Sequence, residues 1–364
     1  MAPTKYRLTV AFIYDGRADY STHGYSLNEC AELDDDPTIH GITAAFEHLR
    51  YRVVLVPGVK ALVKHLAADE HKNWDVVFNY SHGLHATSRE SQVAALLEEY
   101  RIPFTFSDAA TLALCSDKAK TKMVLDHYRL PTSPYIVVPR FGNSFDYSEV
   151  DKQLSYPLIV KPTSSSSCYG ITCANKILGP QALQHEVEKL RPQFMDQEIL
   201  LENFLSGREF TVALAGTGDD ARVLGVSETV WNLHMLRGKD MMPVDFATTQ
   251  FRRSGGGGKG FFHKHVSLSN PLAEKVAMLG LKAYRALGCR DGARVDIRLT
   301  SEEQGSVPCV IEVDPIFGLC PNRSRYNSIA KNNGIEYHEL IQMFLDAAMQ
   351  RHGAMDVTRS ESKD

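Results

Sequence analysis

A chain of 364 residues exceeds the size at which one hydrophobic core keeps growing, so several packed subdomains with clefts between them are expected. Lys and Arg number 40 against 44 Asp and Glu, and this balance lacks the basic excess that drives nucleic-acid binding. Nucleic-acid partners are therefore excluded from our expectations. Small ligands that are recognised locally fit this composition better.

Seven cysteines are scattered along the chain and never form a C-x-x-C pair, which argues against a disulfide framework and against a zinc knuckle. We therefore expect reduced thiols and a cytoplasmic protein. The first apolar run, residues 8–13, is far too short to span a bilayer and is followed by no small-residue cleavage site. It is predicted to be a buried strand, and no membrane partner is expected.

Strands and helices alternate along the first third of the chain. Strands are predicted at 7–13, 52–56 and 75–79, with a helix at 37–49, and this alternation is typical of a parallel sheet with crossover helices. Ligands of such sheets bind beyond the carboxyl ends of the strands. Two segments that follow strands directly are therefore candidates for a cleft: Asp15 with Gly16, and residues 80–83, which include His82.

Thr87 and Glu90 precede a segment of helical apolar periodicity, and Thr followed by Glu three residues later is the pattern of a capping box. We therefore predict that Glu90 caps a helix rather than contacts a ligand. The pattern changes near Ser116, where a predicted helix at 118–128 and a hinge with two prolines begin a second subdomain.

The segments 292–299 and 308–314 alternate polar and apolar residues with a period of two, and a polar link joins them. This pattern predicts a hairpin. With the turn near Gln304, Asp296 lies opposite Glu312.

One face of this hairpin is predicted to carry an arginine and three carboxylates, because residues two apart on a strand point the same way. The set consists of Arg294, Asp296, Glu312 and Asp314. Such carboxylates repel one another in a buried site unless a hard cation or a phosphate draws them together. We therefore predict that Asp296, Glu312 and Asp314 hold Mg²⁺ with the phosphates of ATP, with Mn²⁺ as an alternative. A solvated sheet face is the competing interpretation.

Lys161 ends a predicted strand and is followed by a run of small hydroxyl residues that closes at Gly170. Small residues let backbone N–H groups approach phosphate oxygens, and the lysine supplies positive charge. By itself such a run is as often an ordinary loop.

A second nucleotide-binding candidate is the predicted strand 198–205, whose polar ends bracket an apolar stretch. Glu202 could accept a hydrogen bond from an adenine amino group or from ribose. The backbone of the next three residues could read the edge of the base: Asn203, Phe204 and Leu205.

Residues 231–263 show little periodicity and include the glycine run 255–258. A loop of this length in a compact protein is usually disordered or a functional lid. Its basic residues either close over ATP or an acidic substrate or are simply solvated: Lys239, Arg252, Arg253, Lys259, His263 and the neighbouring His265.

Together these segments resemble the ATP-grasp superfamily, and specifically the D-alanine:D-alanine ligases and their relatives, over nearly the whole chain. The resemblance is carried by residues 77–83, 116–122, 160–162 with Ser167, 202–209, 294–296 and 312–318. It implies an α/β (α+β) ATP-grasp fold in which two subdomains enclose the nucleotide. The implied segments are a Rossmann-like parallel-sheet domain at 1–115, a central subdomain at 116–210, a C-terminal subdomain at 211–350 with the lid and the metal site, and a flexible tail at 351–364.

The resemblance also implies roles for single residues. Lys118 and Lys161 match the lysines that bind ATP phosphates, and Arg294 matches the arginine that stabilises the acyl phosphate and the tetrahedral intermediate. The adenine and ribose contacts fall on Glu202, Asn203, Phe204, Leu205 and Glu209, and the metal ligands on Asp296, Glu312 and Asp314. Ser167 is placed with the catalytic groups, and the substrate contacts are assigned to His82, Gly318, Arg323 and Ser324.

Arg323 is included because an arginine can pair with a substrate carboxylate in a bidentate manner, and a surface arginine is the alternative. Three departures from the family pattern stand out. Asp314 replaces the usual asparagine, the lid lacks a Lys-Tyr pair, and the segment that grips the first ammonium group is not legible after Asp15, although Glu32 is a candidate substitute.

The expected function is therefore a Mg²⁺- and ATP-dependent ligase that joins a carboxylate to an amine through an acyl phosphate. Its partners are expected to be amino-acid or other carboxylate substrates that differ from D-alanine, and the resemblance favours a homodimer. Another ATP-grasp reaction, forming an imine, a thioester or a free acyl phosphate, remains an alternative, as does a nucleotide sensor without catalysis.

Overall fold

The structure, a computed structural model, describes residues 6–26, 29–30, 32–165, 171–231 and 261–361, with side chains to residue 353. The first sheet is parallel, with the strand order β2–β1–β3. It consists of β1 (Thr9–Tyr14), β2 (Arg52–Pro57) and β3 (Val76–Tyr80), and its helices are α1 (Arg17–Thr22), α2 (Asp36–His48), α3 (Gly58–Ala67), α4 (Ser91–Glu99) and α5 (Ala109–Ser116). This part of the chain confirms the predicted alternation.

The second sheet is antiparallel, with the order β4–β7–β5–β6. Its strands are β4 (Tyr135–Val138), β5 (Leu158–Pro162), β6 (Lys176–Ile177) and β7 (Ile199–Asn203), and the helices of this region are α6 (Lys118–His127), α7 (Val150–Gln153) and α8 (Pro180–Leu190). The Asp117 side chain caps α6 by accepting from the N–H groups of Ala119 and Lys120 at 3.0 and 3.1 Å. This cap fixes Lys118 at the start of the helix.

The third sheet is antiparallel, with the order β10–β9–β8–β11–β12. It is formed by β8 (Glu209–Ala215), β9 (Arg222–Trp231), β10 (Phe261–Val266), β11 (Gly292–Leu299) and β12 (Pro308–Asp314), and α9 (Pro271–Ala286) covers one face. The predicted hairpin is confirmed, because β11 pairs with β12 and Asp296 lies opposite Glu312. With α9 on the apolar face, the polar side chains of the other face point into a cleft.

The last two helices, α10 (Arg325–Asn332) and α11 (Tyr337–Glu361), return to the first sheet. Their apolar residues share one core with β1 and β3. The flexible tail from Arg351 stays a prediction; α11 continues to Glu361, and Arg351 donates a hydrogen bond to the carbonyl of Phe104 at 2.8 Å. The other segment boundaries also stay predictions. Leu125 of α6, a helix that precedes the second sheet in the chain, packs in the core of the third sheet rather than the second.

None of the helices in the described ranges is long and apolar enough to cross a membrane. The six cysteines that the structure describes are all free, as predicted: Cys30, Cys115, Cys173, Cys289, Cys309 and Cys320.

Candidate active site

Two adjoining cavities lie between the three sheets. The larger, about 370 Å³, is lined mainly by polar groups of the first and third sheets and the loops that follow them. The smaller, about 180 Å³, has apolar walls that include Ile159, Phe204, Leu205 and Ile311. Six residues line both cavities and mark their junction: Lys118, Ser165, Glu209, Arg294, Glu312 and Arg325.

The hairpin face at this junction holds its charges in an alternating arrangement. Arg294 lies between two carboxylates, with Nε 3.1 Å from Asp296 Oδ2 and Nη2 3.1 Å from Asp314 Oδ2. Glu312 is paired with Lys118 Nζ at 3.2 Å. Burial alone would raise the pKa of Glu312, but the lysine and Arg294 lower it to about 2. The predicted face therefore exists, with a cation beside each carboxylate.

The predicted phosphate lysine Lys161 lies in the smaller cavity together with the buried Glu202. The Glu202 carboxylate contacts Lys161 Nζ at 2.5 Å and Lys122 Nζ at 2.8 Å, and it accepts from the Ser133 hydroxyl at 2.7 Å. Glu202 thus holds two buried lysines in place. Its predicted contact with adenine or ribose stays a prediction.

Glu202 is expected to make the free energy of unfolding depend on pH in the acidic range. Burial alone would raise its pKa, but Lys122 and Lys161 lower it from about 4.5 to about 2. The stabilisation that the ionised Glu202 gives to the folded protein is therefore complete above about pH 4.5 and is lost as the pH falls through about 2. Glu202→Gln should cost on the order of 3 kcal/mol near neutral pH and progressively less in acid, as measured by urea unfolding across pH.

Glu99→Gln, at an exposed position on α4, is the matched control and should leave unfolding unchanged at every pH. A Glu202→Gln deficit that is independent of pH would show that shape, rather than charge, accounts for the loss.

The loops that follow the strands of the first sheet line one wall of the larger cavity, and their charged side chains form ion pairs there. Arg89, which is buried, contacts Glu32 at 3.1 Å and Glu90 at 3.6 Å, and it donates to the carbonyl of Ser164 at 3.2 Å. The predicted capping box is wrong, because Glu90 precedes α4 without any side-chain cap hydrogen bond. The Glu90 carboxylate is instead engaged by Arg89 and by the Ser116 hydroxyl, which turns it toward the cavity.

His82 lies at the carboxyl end of β3, in the segment predicted to reach a cleft, and it lines the larger cavity. Its Nε2 atom is 3.4 Å from Asp34 Oδ2. Burial alone would lower the pKa of His82, but the Asp34 carboxylate raises it to about 9. At neutral pH the His82 imidazole therefore carries its proton.

The loop after β12 brings the predicted substrate residues Gly318 and Ser324 to the same cavity. Ser324 caps α10 and donates to the Gly318 carbonyl. Arg323 reaches only the rim, where its guanidinium pairs with Asp35 and its side chain remains 61% exposed. Its neighbour Arg325 points inward instead, 3.8 Å from Asp296 and bonded to the hydroxyl of Thr211.

This geometry has counterparts among known proteins. The family described as D-ala D-ala ligase C-terminus matches residues 124–346, which is more than half of the chain. The chain belongs to the D-ala D-ala ligase family. D-alanine–D-alanine ligase A of Salmonella typhimurium is 26% identical over 288 residues, which cover 79% of this chain and 72% of that protein. The D-alanine–D-alanine ligase of Prosthecochloris aestuarii is 29% identical over 282 residues, which cover 76% and 71%.

A solved structure of the D-alanine–D-alanine ligase from Bacillus anthracis, complexed with ATP, superposes with a TM-score of 0.69 at 21% identity and covers 96% of this chain and 99% of that one. The predicted ATP-grasp architecture of mixed α/β class is therefore confirmed. Membership of the D-ala D-ala ligase family also confirms the prediction of an ATP-dependent enzyme that joins a carboxylate to an amine.

Several predicted site residues lie outside the described residues. These are Ser167 and the basic residues of the predicted lid: Lys239, Arg252, Arg253 and Lys259. The two ends of the segment 231–263 are described, and there Trp231 of β9 pairs with Phe261 of β10. His263 and His265 therefore belong to a strand rather than to a loop.

Among the residues of the site that were not predicted from the sequence, three stand out: Arg89, Asp34 and Arg325. Arg89 and Asp34 are brought to the cavity by contacts between distant segments, for which the sequence carries no local signal. For Arg325 the sequence does carry a local signal, because this residue directly follows the predicted substrate residue Ser324 at the start of a helix.

Proposed function

We propose that this member of the D-ala D-ala ligase family uses ATP to convert a substrate carboxylate into an acyl phosphate and then joins it to an amino-acid amine. The observation that carries this proposal is the junction of the two cavities. A partly apolar cavity suited to a nucleotide opens, through lysine and arginine side chains, onto a polar cavity suited to small charged substrates.

In the smaller cavity the adenine ring would lie against Phe204 and Leu205, with Asn203 beside them and Glu209 close to ribose. The phosphates would then point to Lys161 and Lys118. Both lysines are buried and both are already held by carboxylates, so their ammonium groups need little reorganisation when a phosphate arrives.

The residues of the hairpin face fit a divalent cation that is shared with a nucleotide. No three His, Cys, Asp or Glu side chains in the described ranges are grouped closely enough to hold a metal ion alone. Mg²⁺, however, is usually bound by one or two carboxylates together with substrate phosphates. Asp296, Glu312 and Asp314 would supply these oxygens to Mg²⁺ or Mn²⁺. The cation would neutralise charge on the transferring phosphoryl group.

Arg294 would act on the acyl group. Its guanidinium is fixed between Asp296 and Asp314, so it offers positive charge at a constant position beside the junction. Negative charge develops there twice, first on the acyl phosphate and then on the oxygen of the tetrahedral intermediate. Pre-oriented cations stabilise such charge more than mobile ones do.

For the substrates we propose charged amino acids or related carboxylates other than D-alanine. The wall of the larger cavity presents ion pairs made by Glu32 with Arg89 and by Asp34 with His82, and ion pairs recognise charged groups rather than a methyl side chain. We further propose a cytosolic protein, supported by its free thiols, and a homodimer, supported by the family resemblance.

The test is ADP release by the purified full chain with Mg²⁺, ATP and pairs of D- and L-amino acids, with product mass determined by mass spectrometry. We expect ADP and an amide of the two substrates only when both an acid and an amine are supplied. D-Alanine alone should be a poor substrate. ADP release without any amide would favour another ATP-grasp reaction, and absence of ADP release with every pair would favour a nucleotide sensor.

A further inference from the structure

The proposed function, on which this inference rests, leaves one cation at the junction of the two cavities without a role. Arg325 begins α10, and its side chain lines both cavities with 20% of its surface exposed. The Ser324 hydroxyl caps this helix by accepting from the Asn327 N–H at 3.2 Å, which fixes the backbone that carries Arg325. The guanidinium is therefore held at a constant place beside the junction.

The Arg325 guanidinium reaches the polar face of the third sheet. Its Nη1 atom donates to the Thr211 hydroxyl and lies 3.8 Å from Asp296 Oδ1 and 4.0 Å from Glu209 Oε1. Thr211 is fully buried and donates in turn to Asp296 Oδ1 at 2.6 Å. Thr211 follows Glu209 by two residues on β8 and lies opposite Asp296 on β11. The register of the sheet therefore places the guanidinium between the two carboxylates.

These contacts form the middle of a row of charges that runs from the smaller cavity to the larger one. Positive and negative side chains alternate along the row, and neighbouring N and O atoms are 3.1 to 4.0 Å apart. The charge row consists, in order, of Arg298, Glu209, Arg325, Asp296, Arg294 and Asp314. Arg298 lines the smaller cavity and Asp314 the larger, so the charge row crosses the junction.

The phosphates of ATP would follow this charge row. With ribose beside Glu209 and the divalent cation at Asp296, the phosphates run from the first residue to the second and pass Arg325 between them. The two carboxylates then turn to ribose and to the cation, so the guanidinium gives up both of these partners. A largely buried guanidinium that loses two carboxylates needs another anion, and the phosphate oxygens supply it.

A substrate carboxylate in the larger cavity is the other anion to consider for Arg325. Phosphate is favoured because the Nη1 atom is directed to Asp296, which lines the smaller cavity but not the larger one. The contact with Glu209, the residue proposed to lie close to ribose, points the same way.

We propose that Arg325 is a catalytic residue of the first half of the reaction, in which it binds the phosphates of ATP and neutralises charge during phosphoryl transfer. An oxygen of the substrate carboxylate forms a bond to the γ-phosphorus, while the bond from this phosphorus to the β,γ-bridging oxygen breaks. ADP leaves with the electron pair, and no proton is transferred. Arg325 thus acts before Arg294, which serves the acyl phosphate once it has formed.

The test compares the binding of ATP with Mg²⁺ and the binding of adenosine, which has no phosphate, by calorimetric titration of the full chain. Arg325→Ala should bind ATP at least about 10-fold more weakly than the wild type and adenosine equally well. ADP release with a substrate pair that the wild type accepts should fall about 100-fold, with KM for both substrates unchanged.

Two further variants make the comparison specific. Arg325→Lys keeps the charge but not the planar fork, so it should recover part of both losses. Lys331→Ala removes an exposed cation from the same helix and should behave as the wild type in every measurement.

Three results would overturn the proposal. Wild-type ATP affinity and ADP release in Arg325→Ala would show that the guanidinium does not meet phosphate. A raised KM for one amino acid with unchanged ATP affinity would assign Arg325 to a substrate carboxylate. Equal losses of ATP and adenosine affinity in both Arg325 variants would assign it to the fold of the nucleotide cavity.

Failure of the proposed function has a different signature. The wild type would then release no ADP with any amino-acid pair, whereas the difference between ATP and adenosine binding would still report on the contact of Arg325 with phosphate.

Discussion

Replacing Arg294 by alanine should lower turnover by about 10³-fold while ATP binding changes little. The guanidinium lies 3.1 Å from both Asp296 and Asp314, at the junction where the acyl phosphate would form. The Arg294 charge would stabilise the acyl phosphate and the tetrahedral intermediate, which exist only during the reaction, so the loss of rate should appear in kcat. The nucleotide would keep Lys118 and Lys161. Steady-state kinetics and calorimetric titration with ATP measure the two quantities separately.

Two further variants sharpen this prediction. Arg294→Lys keeps the charge but loses the planar fork that spans both carboxylates, so it should recover only part of the rate. Arg52→Ala removes an exposed arginine of β2 and should behave as the wild type. Wild-type turnover in Arg294→Ala would contradict the role proposed for Arg294. Equal losses in turnover and in ATP affinity would instead indicate that the whole hairpin face is disrupted.

Asp291 is expected to be among the most important residues for stability. Its carboxylate is fully buried, accepts from the Phe106 N–H at 2.8 Å and from the Thr217 hydroxyl at 3.0 Å, and pairs with Arg351. Removing one partner of a buried ion pair typically costs about 3–5 kcal/mol. Asp291→Ala should therefore lose that much unfolding free energy, as measured by urea denaturation at neutral pH.

Asp220→Asn, on the exposed turn before β9, serves as the control and should change stability by less than about 0.5 kcal/mol. Adding Arg351→Ala to Asp291→Ala should cost less than the sum of the two single changes, because the double variant no longer buries an unpaired guanidinium. Strict additivity would mean that the two side chains act independently.

The parts of the site that lie within one hairpin could be predicted from the sequence. Arg294, Asp296, Glu312 and Asp314 alternate with apolar residues, and a short link fixes which of them face each other. The observed pairing of Asp296 with Glu312 follows from this local geometry. The same holds for Lys118, which is set by the adjacent cap at Asp117.

The ion pairs that the loops of the first sheet contribute to the larger cavity could not be predicted in this way. Thr87 and Glu90 have the spacing of a capping box, but the Glu90 carboxylate has stronger partners in Arg89 and Ser116. Arg89 itself is matched to Glu32, more than fifty residues earlier in the chain. Such pairs depend on how distant segments pack, and short-range patterns carry no record of them.

The path of α11 has a consequence for how the protein is made. Leu340, Ile341 and Phe344 complete the core of the first sheet, although they are synthesised long after its three strands. Domains commonly fold as units during synthesis, but the first sheet would wait, partly exposed, until α11 has been synthesised. A nascent chain arrested before α11 should therefore be a preferred client of chaperones, and premature termination there should yield protein that is degraded rather than a free-standing first domain.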